Sequence, residues 1–179
     1  MLGQKSKFYG VGMSSAEEFA VGEKVVYQSH GVGEIIAKEV EIISGFELKV
    51  YVISFLQDKM TLRVPVGRAA SSGLRSIVDK GEVERIYSTL RGKAKQGNRM
   101  WSRRAQEYET KINSGNIVAV AEVVRDLYKN VDSDRSYSER TIYESALNRL
   151  ASEVAVLENI DKDSAIGKLL DTLKEKIAA

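Results

Sequence analysis

Short β-prone apolar runs fill residues 19–78, and a period of 3.6 replaces them from residue 79 onward. In the first part, VVYQ (25–28), GEIIAKEVEII (33–43), FELKVYVISFL (46–56) and MTLRVP (60–65) read as strands. Ser44-Gly45 and Gln57-Asp58 supply the turns between them. Four or five short strands in so few residues cannot build a large sandwich. They predict a small, strongly bent barrel of the SH3 or Tudor kind, with Gly31 and Gly33 at its sharp bends.

The second part predicts a bundle of about five helices, so the chain is α+β, a small barrel followed by an all-α bundle. Asp79 with Glu82 resembles a capping box ahead of Val83, Ile86, Tyr87 and Leu90, and Gly92 ends that helix. Trp101, Ala105, Tyr108 and Ile112 share one face of the next. Asn116 caps a third, carrying Ile117, Val120, Ala121, Val124, Leu127 and Tyr128. Ser136 with Glu139 opens a fourth, whose stripe is Tyr143, Leu147, Leu150, Val154 and Leu157. Ile166, Leu169, Leu170, Leu173 and Ile177 form the last. The organisation expected is a flexible extension over 1–18, a barrel over 19–78 and a helical unit over 79–179, with Met13 offering a second start.

In MTLRVP the alternation sends Met60, Leu62 and Val64 to the core, and Thr61, Arg63 and Pro65 to the other face. Pro65, the only proline, cannot donate to a ladder, which places this strand or its end at a sheet edge. Such an edge accepts a partner strand, with Arg63 available to a carboxylate, but the residues alone favour an ordinary edge with a solvated arginine.

Charge changes the picture locally rather than globally. Net charge is only +2 over 179 residues, yet RGKAKQGNRMWSRR (91–104) carries six cations and no acid. Its glycines and asparagine predict a mobile loop entering a helix, suited to tracking a phosphate backbone by counterion release. Within it lies Trp101, the only tryptophan, among Arg99, Arg103 and Arg104. Two readings stand side by side. As the first member of an apolar helix face, Trp101 belongs to the core. As an indole at a thin bundle edge ringed by cations, it is a wedge against a base step.

Other chemistry is missing. There is no cysteine, which rules out disulfides and thiolate sites and fits a reducing cytoplasm. His30 is the single histidine and sits in a turn, SHGVG, where a structural role is expected. No phosphate-binding loop and no nucleophile with its base is present, and no apolar run is long enough to span a bilayer. Neither enzyme activity nor a cofactor or metal is expected.

VGEKVVYQSHGVGEI, KMTLRVP, SSGLRSIV, MWSRRAQEYETKINSGN, AEVVRDLY and SYSERTIYE, in that order, resemble the CarD/CdnL family of bacterial transcription regulators across about residues 19–160. The resemblance implies a Tudor-like module, similar to the RNA-polymerase-interacting domain of transcription–repair coupling factors, docking on the polymerase β subunit. It implies Thr61, Arg63 and Pro65 at the docking strand. It further implies a helical domain contacting promoter DNA at the upstream edge of the transcription bubble. There Trp101 would wedge into the minor groove, beside a basic patch of Arg103 and Arg104 to which the local charge adds Arg99, Lys93 and Lys95. The expected outcome is a stabilised open promoter complex, from a monomer without sequence-specific recognition. Two positions depart from the family pattern: Gln28 stands where proline is usual, and Glu41 where some relatives are basic. No acidic or AT-hook tail is seen, as in the short, stand-alone subgroup. A stand-alone architectural DNA-binding protein and a scaffold between two proteins are the rival classes.

Overall fold

The computed structural model describes residues 18–77, 80–95, 97–128 and 135–178. The extension over 1–17, Asp79 of the first capping box and the Ile177 side chain lie outside the described residues.

Five antiparallel strands form one sheet: β1 Lys24–Tyr27, β2 Gly31–Ile43, β3 Phe46–Phe55, β4 Met60–Pro65 and β5 Leu74–Ser76, in the order β4-β3-β2-β1-β5. The β2–β3 hairpin closes through Ser44 and Gly45, both at positive φ (52° and 81°), the geometry that matches strand twist. A register shift between Ile35 and Ala37 bends β2 and curls the sheet over its inner face. Val25, Ile35, Tyr51, Ile53, Phe55, Val64 and Leu74 fill that concavity together with Phe19 and Ala69. The role foreseen for Gly33 changes here. A Cβ at Gly33 would come within 2.7 Å of the Phe55 ring and 2.8 Å of Ile53, so its glycine serves close approach across the curl. β5 has only three residues, too few for an alternation to be read.

β1 pairs with β2 only over Gly31–Glu34, and β4 pairs with β3 only over Val50–Phe55. The rest of the β2–β3 hairpin therefore projects as a two-stranded ribbon, with Phe46 at its tip 78% exposed.

Among the described residues five α-helices follow: α1 Lys80–Arg91, α2 Trp101–Ile112, α3 Ile117–Leu127, α4 Tyr137–Glu158 and α5 Lys162–Ala178. Local sequence explains their ends. Asn116 Oδ1 accepts from the Val118 and Ala119 amides at 3.0 and 3.4 Å, and Ser136 Oγ accepts from the Glu139 amide at 3.2 Å. Asn159 closes α4 in the left-handed region. α3 and α4 are central: Val120, Ala121, Val123, Val124, Ala146, Leu150, Ala151 and Val154 are buried among Ile86, Leu90, Leu169 and Leu173. This core is separate from that of the sheet.

Polar contacts cross the seam between the halves beside Val26, Val32, Ile112, Ile117 and Val120. On α4, Arg149 donates from Nη1 to the carbonyls of Gln28 (3.1 Å) and Ile112 (2.9 Å), and from Nη2 to that of Ser29 (2.5 Å). Arg75 of β5 donates from Nε to the Gly115 carbonyl at 2.9 Å and from Nη2 to Glu153 Oε2 at 3.1 Å. Its Nη1 lies 2.8 Å from Glu153 Oε1, an ion-pair contact without hydrogen-bond direction. The β5–β1 side of the sheet thus meets the helices, and β4 is left at the opposite edge.

Candidate nucleic-acid interface and sheet edge

Trp101 is the first residue of α2. Met100, at φ −54° and ψ 143°, is the N-cap without a side-chain cap, and its carbonyl accepts from the Arg103 and Arg104 amides. The indole is half-buried: one side packs on the helical core, and the ring stays at the surface. Its Nε1 donates to Ser138 Oγ at 3.3 Å, on the first turn of α4. Behind it lies Tyr108, two turns along α2, at 6.3 Å between ring centroids. The Arg104 guanidinium sits 5.7 Å from both ring centroids and donates to Tyr108 Oη at 3.1 Å. The indole is partly covered because a helix start at the end of a bundle has core on one side and solvent on the other.

The cations divide into two sorts. Arg104 is half-buried and occupied in backing the indole, and Arg99 pairs with Glu107. Arg103 and Lys93 are exposed, with no hydrogen bond or ion pair from their side chains to other described residues. Lys95 is exposed too, but its amide donates to Asp126 Oδ1 at 3.0 Å.

Two backbone groups of the basic stretch, read from sequence as a mobile loop, are held by other helices. The Gly92 carbonyl accepts from Lys176 Nζ of α5, and the Lys95 amide is taken by Asp126 of α3. Asp126 in turn accepts from Arg125 Nε at 2.8 Å, and both side chains are almost wholly buried. Burial pushes the Lys176 ammonium down, and the nearby Arg125 charge adds to that. Two cations gathered at the C-terminus of α1 also suit the negative end of its dipole.

At the sheet edge, Thr61 and Arg63 are exposed and Pro65 is half-buried, all on the outer face. Arg63 reaches back across β3: Nε lies 3.0 Å from Glu41 and Nη2 3.5 Å from Glu39, both on β2. Such exposed pairs are worth about 0–1 kcal/mol, so a partner carboxylate can take Arg63 over at small cost.

Sequence reasoning missed Ser138, Asp126, Lys176 and two large exposed side chains beside the indole's anchors, Met100 (79% exposed) and Tyr137 (86%). Only Met100 and Tyr137 left a local trace, as apolar residues outside the helical stripes.

Residues 19–78 match the family model of the CarD-like/TRCF RID domain, and residues 85–171 match that of the CarD C-terminal domain. The chain belongs to the CarD/CdnL family. It is also similar to YdeB, a candidate transcription factor of Bacillus subtilis (strain 168), with 29% identity over 143 residues that cover 79% of this chain and 94% of the relative. Together the two CarD models take in β1 to β5 and nearly all of the helical half, including every residue of the edge and of the indole site. The α+β order of the family, sheet first and helices after, is the order observed. None of the helices among the described residues is long and apolar enough to cross a membrane.

Proposed function

We propose that this CarD-family protein is a transcription regulator that docks on the β subunit of RNA polymerase and stabilises the open promoter complex. In this reading the sheet module, residues 19–78, presents the β4 edge with Thr61, Arg63 and Pro65 to the polymerase. The helical module, residues 79–179, presents Trp101 to the upstream edge of the transcription bubble. Arg99, Arg103, Arg104, Lys93 and Lys95 form the cationic surround.

The observation that carries the reading is the state of the indole, surface-lying yet held in one orientation by Ser138 and Arg104. A pre-oriented aromatic ring loses little freedom on inserting at a base step. Intact duplex must be unstacked to admit it, at a cost of a few kcal/mol, whereas a melted junction is already open. The ring therefore favours the melted state, and the promoter equilibrium shifts by no more than that difference in affinity. The exposed cations Arg103 and Lys93 add salt-dependent adhesion to phosphates that does not depend on sequence.

Decay of open complexes under competitor challenge, with and without the protein, tests this. Trp101→Ala is expected to shorten the lifetime that the wild type confers while polymerase binding survives. An unchanged lifetime in a folded variant rejects the wedge. Tight binding to bare duplex with no need of polymerase would favour a stand-alone architectural role instead.

A further inference from the structure

We infer that Arg149, Arg75 and Glu153 form a positioning device that holds Trp101 at a set place relative to the β4 edge. The inference rests on the two-contact reading above and adds what makes the contacts cooperate.

Arg149 and Glu153 stand four residues apart on α4, hence on one face, and that face meets the sheet half. The single guanidinium of Arg149 ties three elements: α4 itself, the β1–β2 turn through Gln28 and Ser29, and the last residue of α2, Ile112. The first residue of α2 is Trp101, tied through Ser138 to the same α4. So α2 is held to α4 at both ends, and its far end is shared with the barrel. A strut of 12 residues, about 18 Å of helix, then carries the position of the barrel turn to the indole.

Arg75 makes the second tie, to the carbonyl of Gly115 in the α2–α3 turn and to Glu153. The Gln28 side chain fills the space beside Gly73 and Gly115, where a Cβ would lie 2.6 Å and 3.5 Å from it. The Gln28 carbonyl is also a partner of Arg149. The void left among these groups is only about 20 Å³, room for little more than one water.

A buried ion pair is a poor way to add stability, since desolvation offsets most of the attraction; its best-attested benefit is a single register. Burial pushes the Glu153 carboxyl up, with Arg75 pulling it back down. An apolar seam would tolerate sliding; this one has one alignment of donors with acceptors. Two weak contacts joined rigidly at the right separation act as one, whereas the same contacts on a loose joint lose the gain in effective concentration.

The chain has no cysteine, so spin labels can be placed at Leu56→Cys on the sheet half and Lys174→Cys on α5. The labelled protein is expected to give one narrow distance distribution. Glu153→Gln, which keeps the shape of the seam, and Arg149→Ala are expected to broaden it while circular dichroism stays native. In both variants, affinity for polymerase and for forked promoter DNA measured separately is expected to stay at the wild-type value. Open-complex lifetime is expected to fall by roughly tenfold, within the usual range for coupled sites. A distribution that stays narrow in both variants overturns the inference, and so does a broadened one with full lifetime. If the wild type itself does not prolong open complexes, the proposed function falls instead, and the distances still decide whether the seam holds the halves together.

Discussion

The indole Nε1 of Trp101 and the hydroxyl of Ser138, 37 residues apart in the chain, meet at 3.3 Å and join the start of α2 to the start of α4. Trp101 is the only tryptophan, so its fluorescence reports this contact without interference. Ser138→Ala removes one neutral hydrogen bond, worth ~0.5–1.5 kcal/mol. The ring is expected to become more accessible to acrylamide, and the open-complex lifetime to shorten about threefold, as loss of orientation on that scale requires. Quenching and lifetime equal to wild type would count against Ser138 as an anchor.

Arg104 and Arg103 are adjacent and differ in employment. Arg104 lies 5.7 Å from the centroids of both Trp101 and Tyr108, whereas Arg103 is exposed and unpaired among the described residues. Arg104→Ala is expected to cost ~0.5–1 kcal/mol of stability in urea melts through the lost cation–π contacts. Arg103→Ala is expected to leave the melt unchanged and to lower the slope of log affinity for DNA against log salt by about one. A reversal of these two outcomes would show that the division of labour is misassigned.

Arg63 sits between Glu39 and Glu41, and its replacement by glutamate would set three carboxylates together on the outer face of the sheet. Because the residues are exposed, the fold is expected to tolerate Arg63→Glu within about 1 kcal/mol. Association with polymerase is expected to be lost, read as failure to co-purify. Normal co-purification of the folded variant removes β4 from the docking surface.

Asp126 is the buried acceptor for Arg125 Nε and for the Lys95 amide. Arg125 Nη2 has no hydrogen-bond partner among the described residues, so Asp126→Ala removes the carboxylate that faces a buried guanidinium. The expected destabilisation is ~3–5 kcal/mol by urea unfolding. Asp126→Asn keeps an oxygen for the Lys95 amide and is expected to hold the basic stretch in place better than alanine does. Amide hydrogen exchange at Lys95 checks that: rapid exchange in the asparagine variant would contradict it.

Much of the architecture was written locally. Helix starts at Asn116 and Ser136 were legible because a capping side chain bonds an amide two or three residues on. The Ser44-Gly45 hairpin was legible because a two-residue turn needs positive φ at both positions. Pro65 marked β4 as an edge because a residue without an N–H cannot sit inside a ladder. The cluster of cations around Trp101 was visible for the same reason, all within one short stretch.

The sequence by itself determined four of the strands, the succession of helices, the two apolar sets and the residues near the edge and the α2 start. Only the tertiary structure decided that the indole is half-covered and tethered, that two backbone groups of the basic stretch are held by Asp126 and Lys176, and that Arg149 clamps the β1–β2 turn to the end of α2. The physical reason is separation along the chain. Hydrophobic period and capping act over a few residues and leave a pattern there, whereas Arg149 meets carbonyls 120 and 121 residues away. A contact of that span has no spacing to read, because its geometry exists only once both cores have formed.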